Sequence, residues 1–426
     1  SRVAGIEKVG FGLGIAVHDF DDNGFLDVYI ANDFFIPDFM FFNNGDGTFT
    51  DKSKSKLGHT PYYAMGCDAA DVNNDGLTDL MIVDMTPSDH VRNKVLMASM
   101  DVRGFDYLTK LKKYTPQYMM NSLLINNGFG IMSDIGLFAG VSQTDWSWAP
   151  LLADFDNDGL KDLMVTNGFR RDTKNNDWRN SLNELRKSKG ENYTSKDYFE
   201  HLQKAAINPV PNLIYKNKNG LSFDNTTEIW GFDKPSFSNG AAYGDLDQDG
   251  DLDIVINNFD QPAFVYRNNS RERDDTHFIN FKLTNGAISN NILNSKITIY
   301  YDDQMQTSDY TFTRGYQSYV EPLVHFGLGK QKNINRVEIL WNDGKRSIIK
   351  NPKINQTHII DKKKTPSTPY SKEKVNGLFA AINNNYIHPE FKHQENVFDE
   401  FQKEILIPHR QSMLGPAIAV GDINGD

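Results

Sequence analysis

Short apolar runs alternate with polar turns along most of the first 270 residues. The runs GIAVH, GCDAA, APLLA and GAAYG precede a polar turn, and VYIAN, LMIVD, LMVTN and IVINN follow it. Runs of this kind on both sides of a turn are typical of β-hairpins. A second set, FMFFNNGDGTFTD, SLLINNGFGIMSD and NLIYKNKNGLSFD, repeats the pattern around an Asn/Gly turn and indicates a second hairpin. Two hairpins in succession predict a four-stranded sheet.

The polar turn between the first two runs has the same composition in four copies. Each copy has side-chain oxygens at positions 1, 3, 5 and 9 and a glycine at position 6. These residues are Asp19, Asp21, Asn23 and Asp27; Asp71, Asn73, Asp75 and Asp79; Asp154, Asp156, Asp158 and Asp162; and Asp245, Asp247, Asp249 and Asp253. Position 7 would add a backbone carbonyl, from Phe25, Leu77, Leu160 and Asp251. Oxygen-only ligands in a tight loop suit calcium, and the glycine permits the sharp turn.

An EF-hand begins with the same spacing, but the sequence excludes it. An EF-hand needs a bidentate glutamate at about position 12 and a helix on each side. Position 12 here is Ile30, Ile82, Val165 and Ile256, and both flanks are strand-like. One such loop alone would fit an ordinary polar turn equally well, whereas four copies in matching contexts favour a calcium loop at a hairpin end. The third and fourth loops, with four carboxylates instead of three, are expected to bind calcium more tightly.

The spacing of the loops predicts a propeller with insertions. The loop starts are 52, 83 and 91 residues apart, and the first spacing is near the period of a β-propeller blade. The longer spacings indicate insertions at about 84–121 and 170–209, which show helical periodicity and a predicted N-cap at Ser195. Both insertions are basic. They are either solvated helical lids or a basic rim, with Arg170, Arg171 and Lys174, that receives an anionic ligand.

The chain ends on the phrase AVGDINGD, which opens in the same way as the four loops. Asp422, Asn424 and Asp426 occupy positions 1, 3 and 5, and no residue follows to complete a fifth site. We therefore expect residues 376–426 to be the start of a further, truncated blade and the chain to be a fragment.

The loops with their flanking strands resemble the FG-GAP/VCBS repeats of integrin-α-like β-propellers. The segments RGYQSYVEPLVHFGLG and VEILWNDG resemble the ASPIC/UnbV domain, here placed at 271–363, with a polar linker at 364–375. The phrases TDWSWAPLLADFDNDG, VTNGFRRD and HQENVFDEFQKEILIP are similar to the large CRTAC1-like, VCBS-repeat proteins of Bacteroidetes. The resemblance implies an all-β fold, with calcium-bearing propeller blades over 1–270 and seven blades in the full-length protein. It also implies export to the cell surface, the outer membrane or the extracellular space.

The net charge and the absence of known catalytic motifs narrow the range of functions that the sequence supports. The net charge of −11 disfavours nucleic acid as a partner, and the single cysteine rules out an internal disulfide framework. No HExxH pair, GxSxG elbow or phosphate loop occurs. The segment HPEFKHQEN, with His388, Glu390, His393 and Glu395, has a spacing that could serve a metal or an acid–base pair, but in a region that leads into the next blade such residues more often cap and bridge structure. We expect a non-catalytic, calcium-stabilised module that binds a protein or glycan ligand, including an anionic one, at the cell surface. The alternatives are a polysaccharide lyase or hydrolase on a calcium propeller, and a purely structural envelope protein.

Overall fold

The computed structural model describes residues 2–96, 102–128, 131–286 and 292–371, and antiparallel sheets follow one another along its first part. The first sheet contains, in spatial order, β1 (Gly12–His18), β2 (Asp27–Asn32), β3 (Phe39–Asn43) and β4 (Phe49–Asp51). The next strands are β5 (Thr60–Pro61), β6 (Cys67–Ala70), β7 (Asp79–Ile82), β8 (Gln117–Tyr118), β9 (Ser122–Asn126) and β10 (Met132–Asp134). Of these, β6, β7, β9 and β10 form the second four-stranded sheet, and β5 pairs with β8.

The third and fourth sheets repeat the plan. Their strands are β11 (Ser147–Ala153), β12 (Asp162–Asn167), β13 (Val210–Pro211), β14 (Leu213–Asn217), β15 (Phe223–Asn225), β16 (Pro235–Ser236), β17 (Ser238–Gly244), β18 (Asp253–Asn258) and β19 (Phe264–Tyr266). The third sheet has the order β11-β12-β14-β15, the fourth has the order β17-β18-β19, and β13 pairs with β16. The first strands β1, β6, β11 and β17 contact one another in succession. Strand-dominated, repeated sheets of this kind confirm the predicted all-β, propeller-like fold.

Apolar side chains from successive sheets pack against each other. One buried cluster joins Tyr29 and Phe42 of the first sheet to Leu80 of the second, and another joins Leu123 to Leu163 of the third. Because each middle sheet is covered on both faces, its strands are apolar at consecutive positions. The strands β7 and β9 are buried at every residue. This is the reason why the sequence shows short continuous runs in place of a strict alternation.

The helices lie in the connections between strands. They are α1 (Ser53–Lys56), α2 (His90–Leu96), α3 (Val102–Asp106), α4 (Gly136–Ala139), α5 (Asn176–Lys189), α6 (Ser195–Leu202) and α7 (Ser270–Asp274), with a π-helical turn over Tyr107–Leu111 and a 3₁₀ turn over Gly190–Asn192. The N-cap of α6 is Thr194, not Ser195, because a capping box with Asp197 fixes the start one residue earlier. Among the described residues, no helix is long and apolar enough to cross a membrane.

Residues 277–369 form what is here called the C-terminal β-region. Its strands are β20 (His277–Thr284), β21 (Lys296–Tyr301), β22 (Gln304–Asp309), β23 (Thr313–Arg314), β24 (Ser318–Tyr319), β25 (Val324–Gly329), β26 (Arg336–Leu340), β27 (Lys345–Lys350), β28 (Thr357–Asp361) and β29 (Thr368–Pro369). They form the sheets β25-β20-β28 and β22-β21-β26-β27-β29 and the hairpin β23-β24. A separate apolar cluster, with Phe281, Phe326 and Trp341, holds the two larger sheets together.

The hairpin β23-β24 inserts among the first strands of the four sheets. The β23 strand contacts β1, β6 and β11, and β24 contacts β17. The buried Arg314 donates to Asp68 Oδ1 at 3.1 Å and to the Ala69 carbonyl at 2.7 Å, while the carbonyl of Gly315 accepts from Cys67 N at 3.2 Å. The segment RGYQSY therefore ties the C-terminal β-region to the inner strands of the propeller-like part.

Candidate metal centres

Each oxygen-rich loop closes a hairpin between the first and second strands of a sheet. In all four hairpins, the residue before position 1 pairs with the aspartate at position 9. The pairs are His18 with Asp27, Ala70 with Asp79, Ala153 with Asp162, and Gly244 with Asp253. Because the strands are paired up to this point, the eight intervening residues must turn back sharply. The glycines at position 6 have φ values of 89° to 100°, which only glycine adopts readily.

The aspartate at position 1 organises the turn. Its carboxylate accepts the backbone N–H of the glycine in every loop, at 2.7 Å for Asp19, 2.8 Å for Asp71, 2.9 Å for Asp154 and 3.1 Å for Asp245. In the first three loops it also accepts the N–H of the position 5 residue, at 3.0 or 3.1 Å. These bonds hold the loop in the shape in which its other side-chain oxygens converge.

The aspartate at position 9 joins the loop to the second hairpin of the same sheet. One of its oxygens accepts the N–H of position 2 at 2.9 or 3.0 Å. The other accepts, at 2.8 Å in every case, the N–H of an asparagine at the end of the third strand: Asn43, Asn126, Asn217 or Asn268. Both carboxylate oxygens of this aspartate therefore accept backbone hydrogen bonds. The aspartate could bind an ion only through an oxygen that also keeps its hydrogen bond.

Sequence reasoning missed the part that these four asparagines play in holding the loops, since it took them for turn residues. Their side-chain amides donate to the position 8 carbonyl of their own loop. Three of them also donate to the position 2 carbonyl of the preceding loop: Asn126 to Phe20, Asn217 to Val72 and Asn268 to Phe155, at 2.8, 2.9 and 2.6 Å. We call this bond the asparagine clasp. Its sequence signal is an asparagine at the same place after each third strand.

Position 4, which is not a predicted ligand, adds a second link between loops. All four residues there have a left-handed backbone, with φ between 56° and 63°. Asn74 donates to the Gly159 carbonyl and Asn157 to the Gly250 carbonyl, both at 3.0 Å, so the second loop bonds the third and the third bonds the fourth. In the first loop, Asp22 takes this place and contacts Lys296 at 3.0 Å.

Three of the four loops bring carboxylates together. Oxygens of Asp19, Asp21 and Asp27, of Asp154, Asp156 and Asp162, and of Asp245, Asp247 and Asp249 lie within 4.8 Å of one another and could hold a metal ion. The aspartates at 71, 75 and 79 do not form such a group within the described part of the chain. There the Asn73 amide donates to Asp75 Oδ2 at 2.9 Å. Asp422, Asn424 and Asp426 lie outside the described residues.

Burial without a cation is costly for these carboxylates. Desolvation raises the pKa of Asp19 to about 6, of Asp27 to about 7 and of Asp154 to about 7. Burial likewise raises the pKa of Asp79 to about 8. In the fourth loop, Asp245 Oδ1 is buried and has no hydrogen-bond partner among the described residues. Neighbouring buried carboxylates with an unsatisfied oxygen fit a divalent cation, whose charge reverses both the desolvation cost and the mutual repulsion.

The basic residues predicted to form an anion-binding rim are engaged within the chain. Arg170 pairs with Asp260 at 2.7 Å. Arg171 donates to the carbonyls of Gln203 and Ala205 at 2.9 and 3.1 Å, which anchors the end of the insertion. Lys174 lies over the rings of Phe34 and Tyr63, and burial lowers its pKa. These contacts support the interpretation of the insertion as a lid.

The repeated sheets and loops define a propeller-like protein with candidate metal loops at its hairpin ends. Residues 19–82 match the family described as FG-GAP-like repeat, and residues 287–367 match the family described as ASPIC and UnbV. The chain therefore combines an FG-GAP-like repeat with an ASPIC and UnbV segment, as the sequence predicted.

Two curated relatives match most of the chain. The chain is 23% identical over 350 residues to cartilage acidic protein 1 of Homo sapiens, covering 80% of this chain and 42% of the relative. The Mus musculus protein of the same name gives 23% identity, with 80% and 43% coverage. The chain thus spans less than half the length of either relative. Among solved structures, the Photorhabdus luminescens Tc holotoxin pore matches 78% of this chain and 12% of the toxin chain. The sequence identity is 12% and the TM-score is 0.25, too low to indicate a shared fold.

Proposed function

We propose that this chain is part of an extracellular binding module that calcium stabilises and that has no catalytic activity of its own. The observation that carries the proposal is the recurrence of one loop geometry at four hairpin ends, with carboxylate oxygens gathered at three of them. The calcium ligands would be the side chains at positions 1, 3, 5 and 9 and the carbonyls of Phe25, Leu77, Leu160 and Asp251. Calcium would supply a fixed centre that joins the two strands of each hairpin.

A comparison of thermal unfolding in EDTA, calcium and magnesium tests the calcium site. Extracellular calcium modules bind at about 10⁻⁴ to 10⁻³ M, and an ion at ten times its dissociation constant adds about 1.4 kcal/mol per site. Three sites would add about 4 kcal/mol, a large share of a typical stability margin. We expect EDTA to lower the melting temperature and calcium to restore it more fully than magnesium. A melting curve that does not respond to chelator would remove the calcium proposal.

We propose the absence of catalysis because three of the described histidines lie in structural contacts. His18 Nδ1 lies 3.0 Å from Asp309, His59 Nε2 lies 2.7 Å from Asp134, and His325 is buried between two asparagines. His388 and His393 lie outside the described residues. We expect no product release from a panel of anionic polysaccharides in calcium buffer. Accumulation of unsaturated or shortened oligosaccharides would favour the polysaccharide-active alternative.

We place the binding surface at the edge opposite the metal loops. Antiparallel strands put the connection between the second and third strands at that edge, and this connection carries both helical insertions. Three phenylalanines there are about half exposed, and Phe11 contacts both Phe34 and Phe35 edge to face. Exposed aromatic clusters of this kind are enriched at sites of protein and ligand binding.

Binding to arrays of glycans and of immobilised extracellular proteins would test this surface. The double variant Phe34→Ser/Phe35→Ser should lose the signals that the unchanged protein gives. The control, Ile348→Ser, removes an equally exposed apolar side chain from the C-terminal β-region and should bind normally. Loss of binding in both variants would point to a different surface. No binding to either array would favour the purely structural alternative.

A further inference from the structure

In two of the four loops, one positively charged side chain contacts the carboxylates at both position 3 and position 5, whereas in the first loop Lys52 Nζ lies 3.8 Å from Asp21 Oδ2 alone. In the third loop, Lys216 Nζ contacts Asp156 and lies 2.8 Å from Asp158 Oδ2. In the fourth loop, Arg267 Nε lies 2.7 Å from Asp247 Oδ2, and its Nη2 lies 3.3 Å from Asp249 Oδ2. In both loops the cation therefore contacts the carboxylates at positions 3 and 5, two of the four side chains that would bind calcium.

The placement follows a rule along the chain. Lys216 lies near the end of β14 and Arg267 directly follows β19, and each stands directly before the clasp asparagine. The first two sheets have Phe42 and Ile125 at the equivalent place. The loops that carry the basic residue have aspartate at all four ligand positions. The other two loops have three aspartates and one asparagine.

The fourth carboxylate and the cation thus occur together. Four carboxylates with one lysine or arginine carry the same net charge as three carboxylates alone. The basic residue therefore offsets the charge of the additional carboxylate in the third and fourth loops. The expectation that the third and fourth loops bind calcium more tightly did not include this compensation.

The cation also occupies space that a bound ion needs. Calcium lies about 2.3–2.6 Å from its ligand oxygens, so an ammonium within hydrogen-bond distance of two of them must move before the ligand shell closes. The side chains have room to do so, because Lys216 is 35% exposed and Arg267 is 55% exposed. Both border a cavity of about 340 Å³ between the third and fourth sheets, which Trp230, Phe232 and Tyr266 also line.

We propose that Lys216 and Arg267 are built-in competitors of calcium, which hold the third and fourth loops in shape without metal and weaken ion binding there. The inference rests on the proposed calcium sites. In the metal-free protein the basic side chain compensates the repulsion among the carboxylates. When calcium binds, the side chain moves into the adjacent cavity or into solvent. The third and fourth loops are then sites from which a side chain must first be displaced.

Calorimetric titration with calcium chloride tests the proposal, together with melting in EDTA. A charge-assisted hydrogen bond is worth more than a neutral one, so Lys216→Met should bind calcium about tenfold more tightly at one site, with unchanged stoichiometry. The same variant should melt at a lower temperature than the unchanged protein in EDTA and at an equal temperature in saturating calcium. Arg267→Met should behave in the same way at the other loop, which keeps the test valid if one variant does not fold.

The matched control is Lys218→Met, two residues further along the chain. Lys218 pairs with Asp224 at 3.0 Å, outside the loop, so both measurements should be unchanged. Unchanged calcium affinity in Lys216→Met and Arg267→Met would overturn the proposal, and so would equal tightening in the control. If the unchanged protein takes up no calcium, the proposed function fails first. A lower melting temperature of the variants in EDTA would then mark the two residues as simple ion-pair partners.

Discussion

Replacing Asn217 by alanine should destabilise the protein strongly, although this residue is not a predicted metal ligand. The side chain is fully buried. Its amide donates to the carbonyls of Val72 and Lys161, both at 2.9 Å, and its Oδ1 accepts the N–H of Gly220 at 2.7 Å. Alanine would leave these buried groups without their partner. At about 1 kcal/mol for each of three bonds, we expect a loss of about 3 kcal/mol in the free energy of unfolding.

Urea unfolding, followed by fluorescence in calcium buffer, would measure this loss as a lower midpoint at an unchanged slope. Asn217→Asp keeps the size and the acceptor but removes both donated bonds, so it should be at least as damaging as alanine. The control is Asn219→Ala, in the exposed turn just after β14, where water replaces the lost bonds and the cost should stay below about 1 kcal/mol. Equal midpoints for Asn217→Ala and Asn219→Ala would refute the clasp as a stabilising bond.

Two further predictions concern the C-terminal β-region. Arg314→Met leaves Asp68 as a buried carboxylate without its cation and should lower the free energy of unfolding in urea by about 3–5 kcal/mol. The control Lys345→Ala, at an exposed ion pair, should lower it by less than about 0.5 kcal/mol. Equal effects would contradict the proposal that the hairpin β23-β24 ties the C-terminal β-region to the inner strands. Burial lowers the pKa of His325 to about 3, below its ordinary value of 6.5. As the pH falls, the unfolded chain therefore binds a proton at this histidine before the folded protein does. Between pH 6.5 and pH 3, the free energy of unfolding of the unchanged protein, compared with that of His325→Asn, should fall by up to about 1.4 kcal/mol per pH unit. A pH-independent difference between these two proteins in urea unfolding would contradict it.

The hairpins and loops could be predicted because their signals are local. A short apolar run, an Asp/Gly turn and a second run define both the strands and the position of the oxygens. The pairing of Ala153 with Asp162 follows from such a pattern within ten residues. The same is true of the insertions, whose helical periodicity gave α5 and α6 close to their observed bounds.

The contacts between sheets could not be predicted, because the two partners are far apart in sequence. Asn217 and the Val72 carbonyl are 145 residues apart, and Arg314 and Asp68 are 246 residues apart. Nothing near Asn217 distinguishes a clasp from an ordinary turn residue. The charge of Arg171 was visible, but the carbonyls at the end of the insertion that it binds were not. The role of each of these residues depends on a partner that is close in space but distant in sequence.

The asparagine clasp has a consequence for the order in which the chain folds during synthesis. The loop at Asp19 receives its bond from Asn126, and the loops at Asp71 and Asp154 receive theirs from Asn217 and Asn268, so every donor is made after its acceptor. The delays are 106, 145 and 113 residues. Each blade therefore leaves the ribosome with one open carbonyl beside its ion loop, which closes only when the third strand of the following blade has been made. The hydrogen bonds of each of these loops are therefore completed only after the next blade has been synthesised. If the ribosome stalled within an insertion, the preceding loop would lack its bond from the clasp asparagine.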